Sequence, residues 1–227
     1  MTSSELLPQD IKVKSEDVRL ACAFIPDAEK RAEVLSLFAF LETLREVPER
    51  TTDPLMGEIR LRWWYEAIEE IEQKRPVRYH PLTEALKALI GRYDLPPKDL
   101  LDMIEGQMPL LDKGALTIKD ALGVVDRGEG HLFHMAAKVL GEDRALTDIA
   151  RLHGMTQIKA TRGLNDAGDM EFAHLKREAQ KAARALPTSL MPLALPSSLA
   201  ATYWHGGKPG PLAKRFRLVW SFITGRI

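Results

Sequence analysis

Three glutamates close together in the first third of the chain could bind a divalent cation. Glu42 and Glu46 are four residues apart and Glu49 follows, in a stretch whose apolar residues recur with a helical period. Side chains four residues apart on a helix lie on the same face, so the first two carboxylates are neighbours. Such a pair can hold Mg²⁺ through water, as carboxylates do beside phosphate groups. The alternative is a solvated helix edge on which Arg45 and Arg50 pair with these acids.

Three arginines in the same region could bind an anion. Arg45 lies between the two glutamates, and Arg60 and Arg62 belong to the next predicted helix. A guanidinium forms directional, charge-assisted hydrogen bonds with phosphate oxygens, so these arginines could bind a diphosphate substrate. Arg62 also has Glu58 and Glu66 four residues away on either side, and ion pairs along the helix are the alternative.

Two other groups could bind metal, but each has a simpler interpretation. Asp166 and Asp169 lie in the sequence NDAGD, where they could form a second acidic site or belong to an ordinary turn. His131 and His134 are three residues apart on a predicted helix. A histidine pair at that spacing can bind zinc, but the sequence identifies no third ligand.

The last 20 residues, KPGPLAKRFRLVWSFITGRI, contain five basic side chains and no acidic one. A helix here aligns Phe216, Val219, Trp220 and Ile223 on one face. A basic helix with an aromatic face is typical of a membrane surface or of a site for an acidic partner. The residues predicted to form this surface are Lys214, Arg215, Phe216, Arg217 and Trp220. The alternative is that the apolar face packs on the core.

The helix that follows the glutamates is well defined by its sequence, DPLMGEIRLRWWYEAIEEIE, residues 53–72. Asp53 can cap it and Pro54 suits its first position. Apolar residues at four-residue steps predict one buried stripe, which Trp64 and Ile68 widen. Its residues are Leu55, Ile59, Trp63, Ala67 and Ile71.

Nine or ten such helices, separated by proline, glycine and short polar segments, account for the chain, and no alternating strand pattern occurs. The sequence therefore predicts an all-α helical bundle. We expect one domain over residues 1–227, with a loose arm at 1–14 and a basic C-terminal helix within 208–227.

Composition excludes several classes of protein. The 32 basic and 32 acidic side chains balance, so a general affinity for nucleic acid is not indicated. A single cysteine excludes an internal disulfide framework. There is no apolar run of the roughly 20 residues that a membrane span needs. We expect a cytoplasmic protein, with peripheral attachment to the inner membrane face as a further expectation.

Two segments closely resemble the squalene/phytoene synthase family, in its bacterial branch. They are PDAEKRAEVLSLFAF at residues 26–40 and GEIRLRWWYEA at residues 57–67, and the similarity continues at 130–141 and 212–227. The resemblance implies the isoprenoid synthase fold. It also implies that active members join two prenyl diphosphates head to head, using Mg²⁺ bound by two aspartate-rich motifs on facing helices. A stretch usual in the family after the second motif is missing, which implies a shortened bundle.

The chain departs from the family pattern at both metal motifs. Glu42 and Glu46 stand where the first aspartates are expected, and the helix ending near Arg162 lacks those of the second motif. These departures favour a non-catalytic protein that binds a prenyl chain or lipid, or that assists assembly. A mitochondrial complex I assembly factor with squalene/phytoene synthase homology, to which the chain is similar, is such a member. The alternative is an active Mg²⁺-dependent prenyl transferase, with Asp166 and Asp169 as its second metal site.

Overall fold

A computed structural model describes residues 11–165 and 168–227, and these ranges contain twelve α-helices. The helices are α1 (Glu16–Cys22), α2 (Ala28–Arg50), α3 (Pro54–Glu72), α4 (Pro81–Tyr93), α5 (Pro97–Glu105), α6 (Ile118–Val125), α7 (His131–Val139), α8 (Thr147–Arg162), α9 (Asp169–Arg184), α10 (Met191–Ala194), α11 (Ala200–Trp204) and α12 (Pro211–Thr224). In the described part of the chain the extended backbone amounts to one bridge between Leu116 and Leu164. The predicted all-α class is confirmed.

Helix α2 is the central element of the bundle. Asp27 caps it by accepting the backbone N–H groups of Glu29 and Lys30. From residue 34 to residue 44 its apolar side chains are buried on most sides, with Phe40 and Leu44 fully inaccessible. Helices α1, α3, α4 and α7 pack around it. One narrow face of α2 stays open, and that face carries the glutamates.

Helix α3 forms as predicted, but its first half buries a different face. Asp53 caps it, and Trp64 is buried against Phe40, with ring centroids 5.6 Å apart. The predicted stripe was wrong at its start, because Leu55 and Ile59 are 61% and 54% exposed. Trp63 is half-buried. The buried residues are Gly57, Leu61, Trp64, Ala67, Ile68 and Ile71.

A contact at Gly57 explains this choice of face. A Cβ atom built on Gly57 would lie 2.3 Å from Leu111 Cδ2, so the backbone of α3 approaches its neighbour most closely there. Both faces of α3 satisfy a helical period, and the close approach buries the one that contains the glycine.

Helices α6 and α7 are joined through a π-helical turn, Asp126–Gly130, rather than being broken at the glycines. Such turns insert one residue into a helix and shift the side chains that follow. Here the turn places Glu129 inside the bundle, with none of its side chain accessible.

The first described residues, 11–14, pack onto the bundle instead of extending from it. Val13 is 4% exposed, and its carbonyl accepts a hydrogen bond from Arg19. The rest of the predicted arm, residues 1–10, lies outside the described residues. Among the described helices, none is both long enough and apolar enough to cross a bilayer.

Candidate functional site

A cavity of about 470 Å³ lies between α1, α2 and α8. Its apolar walls come from Phe38 and Leu41 of α2, Leu132 of α7 and Ile158 of α8. Its charged residues are Lys14, Glu16, Asp17, Glu42, Arg45, Glu46, Glu49, Glu129 and Arg162. The structure therefore places Glu42, Glu46 and Arg45, three of the predicted site residues, in one cavity.

The carboxylate of Glu42 is held by the backbone that precedes α1. It accepts the N–H of Lys14 at 2.6 Å and the N–H of Ser15 at 3.0 Å. Both of its oxygens therefore have protein donors. A cation at this position would have to compete with these two hydrogen bonds.

The carboxylate of Glu46 is neutralised by two basic side chains. It pairs with the ammonium of Lys14, and Arg50 Nη1 lies 3.2 Å from its Oε2. Lys14 thus contacts Glu42 through its backbone and Glu46 through its side chain. A single residue of the N-terminal segment supplies a positive charge where the metal was predicted.

Arg45 and Glu129 form a buried ion pair at the inner end of the cavity. Arg45 Nη2 lies 2.7 Å from Glu129 Oε2 and 2.5 Å from Oε1. Burial raises the pKa of Glu129, and the charge and hydrogen bond of Arg45 oppose that rise. Arg45 Nε is buried and has no hydrogen-bond partner among the described residues.

The ion pair depends on a glycine in α8. A Cβ atom on Gly154 would lie 2.7 Å from Glu129 Cδ and 2.6 Å from Val125 Cγ1. Only a residue without a side chain lets α8 pack this closely against the π-helical turn. Glu129 was not among the site residues predicted from the sequence. The signal that could have found it is an acid flanked by glycines, Gly128 and Gly130, at the start of an apolar helix.

His153 lines the same cavity and is neutral at physiological pH. It is 8% exposed, and its ring lies 5.7 Å from that of Phe133. Burial, helped by the positive charge of Arg45, lowers the pKa of His153 to about 4. The histidine therefore adds a polar but uncharged group to this part of the wall.

Helix α8, all of whose residues are described, supplies no carboxylate to the cavity that Glu42 and Glu46 line. It contributes Gln157, Thr161 and Arg162 among others, and its one acid, Asp148, does not line the cavity. Arg162 donates to the carbonyl of Asp112. The donor set of the described residues does not fit a two-sided Mg²⁺–diphosphate site.

Asp169, the described residue of the predicted second acidic site, lies away from this cavity. Asp169 begins α9, where its Oδ1 accepts the indole N–H of Trp204 at 3.0 Å and lies 4.0 Å from Lys159 Nζ. It is 66% exposed and does not line the cavity. Asp166 lies outside the described residues.

Arg60 and Arg62 also lie outside the cavity. Arg60 donates to Thr51 Oγ1 at 3.1 Å. Arg62 pairs with Glu66 at 3.1 Å, which is the alternative that the sequence left open. Neither arginine is near Arg45 in the lining of the site.

His131 and His134 each pair with separate acids rather than with each other. His131 lies between Asp99 and Asp102 of α5, with N–O distances of 3.4 and 3.6 Å, and His134 lies 2.8 Å from Asp143. One ligand atom from each of Asp99, Asp102 and His131 falls within 4.8 Å of the others. These residues do not line the cavity.

Lys214 of α12 pairs with two acids of α1 that line the cavity. Its Nζ lies 2.9 Å from both Glu16 and Asp17, and Tyr203 donates to Asp17. The Lys214 side chain is only 16% exposed, so it differs from the prediction that placed it on a free surface. The other predicted surface residues, Arg215, Phe216, Arg217 and Trp220, are exposed on α12.

Known proteins show the same architecture. A crystal structure of a dehydrosqualene synthase in complex with ligand matches with a TM-score of 0.68 and 13% sequence identity, over 92% of each chain. This likeness shows the isoprenoid synthase-like fold. Because 92% of that chain is matched, the expected shortening is small relative to this neighbour.

Sequence comparison identifies relatives and a family. The chain is 25% identical over 147 residues to NADH dehydrogenase (ubiquinone) complex I, assembly factor 6 of Homo sapiens, and 23% identical over 147 residues to that of Bos taurus. Each match covers 62% of this chain and 44% of the relative, so it spans less than half of those proteins. The family model described as squalene/phytoene synthase matches residues 11–161, more than half of the chain. This protein therefore belongs to the squalene/phytoene synthase family.

Proposed function

We propose that this protein is a non-catalytic member of the family that holds a prenyl chain or another lipid in its cavity. The observation that carries the proposal is that the acidic residues of the cavity already have partners within the protein. Lys14 and Arg50 already neutralise Glu46, backbone N–H groups hold Glu42, and α8 offers no facing carboxylate. A Mg²⁺-bound diphosphate would need acids on both walls.

The cavity supports binding of an apolar chain. Its volume of about 470 Å³ falls within the range of ligand cavities in proteins. Phe38, Leu41 and Leu132 supply apolar surface, while Arg45 and His153 supply polar groups that can orient one end of a ligand. Burial of a hydrocarbon chain there would be stabilised by the hydrophobic effect without any chemical step.

Incubation with farnesyl or geranylgeranyl diphosphate and Mg²⁺ tests the lack of catalysis. We expect no release of diphosphate above the rate without protein. Turnover that is lost in Glu42→Gln would refute the proposal, because that substitution keeps the size of the side chain and removes the negative charge.

A matched pair of variants tests ligand binding. Thr161→Trp places a large ring at the α8 wall of the cavity and should weaken binding of farnesol, measured by calorimetry, by at least about tenfold. Asp148→Trp introduces the same side chain on α8 outside the cavity lining, and this variant should bind farnesol as the wild type does. Equal affinities of the two variants would contradict a prenyl site in this cavity.

An active prenyl transferase remains the second candidate, and one observation favours it. Glu42, Glu46 and Glu49 all line the cavity, where a conformation with the N-terminal segment displaced would free them. This candidate predicts that Lys14→Ala, which removes the internal cation, increases Mg²⁺ binding and produces turnover. Lys87→Ala on α4 is the control, because that lysine is exposed and far from the cavity lining.

We also propose a helper role at the inner membrane face, in the assembly of respiratory complex I. The names of the curated relatives support it, although the matched segment is only part of those proteins. In the native host, deletion of the gene should lower NADH:ubiquinone activity of isolated membranes. Glu42→Gln should restore that activity as fully as the wild type. An unchanged activity after deletion would refute the helper role, and restoration by the wild type alone would show that the Glu42 carboxylate is needed.

A further inference from the structure

Helix α12 has two apolar faces, and among the described residues the bundle covers only one of them. Leu218 is 1% exposed, and Phe222 packs on Phe24, which follows α1, with ring centroids 4.8 Å apart. Together with Ser221 and the paired Lys214, these residues fix α12 on the bundle. The orientation of the helix is therefore set by its buried side.

The opposite face of α12, which we call the α12 face, is exposed and apolar. Its residues are Leu212 (80% exposed), Phe216 (71%), Val219 (45%), Trp220 (48%) and Ile223 (73%). Their spacing of three or four residues puts them on one side of the helix, and the rings of Phe216 and Trp220 stack at 6.3 Å. A continuous exposed stripe of this kind indicates an interaction surface rather than scattered surface residues.

The charges that α12 itself carries beside this face are of one sign. Arg215 and Arg217 are exposed on either side of the stripe, Arg217 also donates to Ser198 O at 3.3 Å, and residues 208–227 contain no acid. Arginines beside an apolar stripe can keep their heads at the level of phosphate groups while the stripe enters the hydrocarbon. A neutral apolar partner would leave these arginines without an anion, whereas a bilayer with anionic headgroups supplies both the anion and the apolar phase.

A second set of cations lies beside the end of α12. The α9 cations, Lys176, Arg177, Lys181 and Arg184, line a groove of about 680 Å³ together with Gln180 and Ile227. Gln180 joins this groove to the chain after α12, since its amide donates to Gly225 O at 3.0 Å and accepts from Ile227 N at 2.9 Å. Within the described residues, no ion pair engages any of these four cations.

We propose that the α12 face and the α9 cations form one docking surface for a bilayer that contains anionic phospholipids. The stripe supplies apolar surface for the interface, and the neighbouring cations supply attraction to headgroup phosphates. The inference rests on the peripheral membrane association in the proposed function and names the surface and the lipid chemistry. It does not depend on whether the cavity holds a ligand.

Sedimentation with vesicles tests the apolar part. The protein should bind vesicles of phosphatidylcholine with 30% phosphatidylglycerol, and Phe216→Ser combined with Trp220→Ser should weaken partition by about tenfold or more. The matched control is Leu55→Ser combined with Ile59→Ser, which removes two equally exposed apolar side chains from α3 and should leave binding unchanged. Both variants alter exposed positions, and a thermal melt verifies that they fold.

Charge reversal tests the basic part. Arg177→Glu combined with Lys181→Glu should weaken binding to the anionic vesicles by about tenfold or more, because each cation near an anionic surface contributes about fivefold. Lys87→Glu, an exposed change on α4, is the control. Wild-type binding should also fall when ionic strength rises from 0.1 to 0.5 M, since screening shortens the range of these interactions.

Four results would overturn the proposal. Equal binding by the wild type and the α12 variant would refute the docking surface while leaving membrane association in place. Equal binding to vesicles with and without phosphatidylglycerol would refute the anionic selectivity. A lipid-free dimer that is lost in the α12 variant would assign the face to a second copy of the chain. No binding to any vesicle would refute both the surface and the peripheral association, whereas the cavity proposal would still be decided by the farnesol measurement.

Discussion

Replacing Arg45 with methionine would remove the cation that faces Glu129 while keeping an apolar side chain of similar length. Glu129 has no accessible side-chain surface, and Arg45 Nη2 lies 2.7 and 2.5 Å from its two oxygens. Breaking a buried ion pair by removing one partner costs about 3–5 kcal/mol, because the other charge stays buried and uncompensated. We expect Arg45→Met to lower the free energy of unfolding by that amount near pH 8. For a chain of this size the melting temperature should fall by roughly 6–20 °C.

The loss should depend on pH in a defined direction. Burial already raises the pKa of Glu129, and without Arg45 the rise is larger. A carboxyl whose pKa is higher in the folded state contributes stability that is fully present below its unfolded pKa and is lost as pH rises through the folded pKa. The variant should therefore be closer to the wild type at pH 5 than at pH 8. The difference in unfolding free energy between the wild type and the variant can change by at most about 1.36 kcal/mol per pH unit.

Urea unfolding followed by tryptophan fluorescence at pH 5, 6.5 and 8 measures this difference. Taking variant minus wild type at each pH removes the titrations that both proteins share. Arg45→Met combined with Glu129→Gln is the control, because it shares the change at His153 and lacks the Glu129 carboxyl, so its pH dependence should be smaller than that of Arg45→Met. A loss below about 1 kcal/mol at pH 8, or a difference that does not change with pH, would mean that Glu129 is not a buried charge held by Arg45.

Three further predictions follow from single residues. Gly154→Ala should destabilise the protein by about 1–3 kcal/mol, because the added Cβ would lie 2.6 Å from Val125 Cγ1. The control is Gly91→Ala on α4, which has open space around it and should be neutral or stabilising. Burial lowers the pKa of His153 to about 4, so this residue contributes stability that is present above its unfolded pKa and is lost as pH falls. Between pH 8 and pH 5 the free energy of unfolding, measured in urea, should therefore fall by about 2 kcal/mol from this residue. His153→Gln should not show that part of the decrease. Cys22 is buried, and burial raises the pKa of its thiol to about 12, so a disulfide reagent should modify it only after unfolding. Rapid labelling of Cys22 in the native protein would contradict its burial.

The limits of prediction are clearest in α3. Asp53, Pro54 and the helical period predicted its existence and bounds, because capping and amphipathicity act within a few residues. The period identified the buried face in the second half of α3, where Trp64, Ala67, Ile68 and Ile71 are buried. It was wrong in the first half, where Gly57 and Leu61 are buried instead of Leu55 and Ile59, because Gly57 lies against Leu111.

In the candidate site, too, the sequence predicted the neighbours along one helix but not the contacts between helices. Glu42, Arg45 and Glu46 were identified from the sequence because they lie within two turns of one helix and must share a face. Their partners were not, since Glu129 is 84 residues from Arg45 and Lys14 is 28 residues from Glu42. Pairing between such remote residues depends on how the helices pack.

The sequence by itself therefore determined the helical class, the helix limits near strong caps, the family and a glutamate-bearing face of α2. Only the tertiary structure decided that Lys14 supplies the positive charge at Glu46, that Asp169 lies away from the cavity, and that the apolar face of α12 stays exposed. The physical reason is that helix formation responds to neighbours within about four residues. Burial and ion pairing respond to whichever elements the packed core brings into contact.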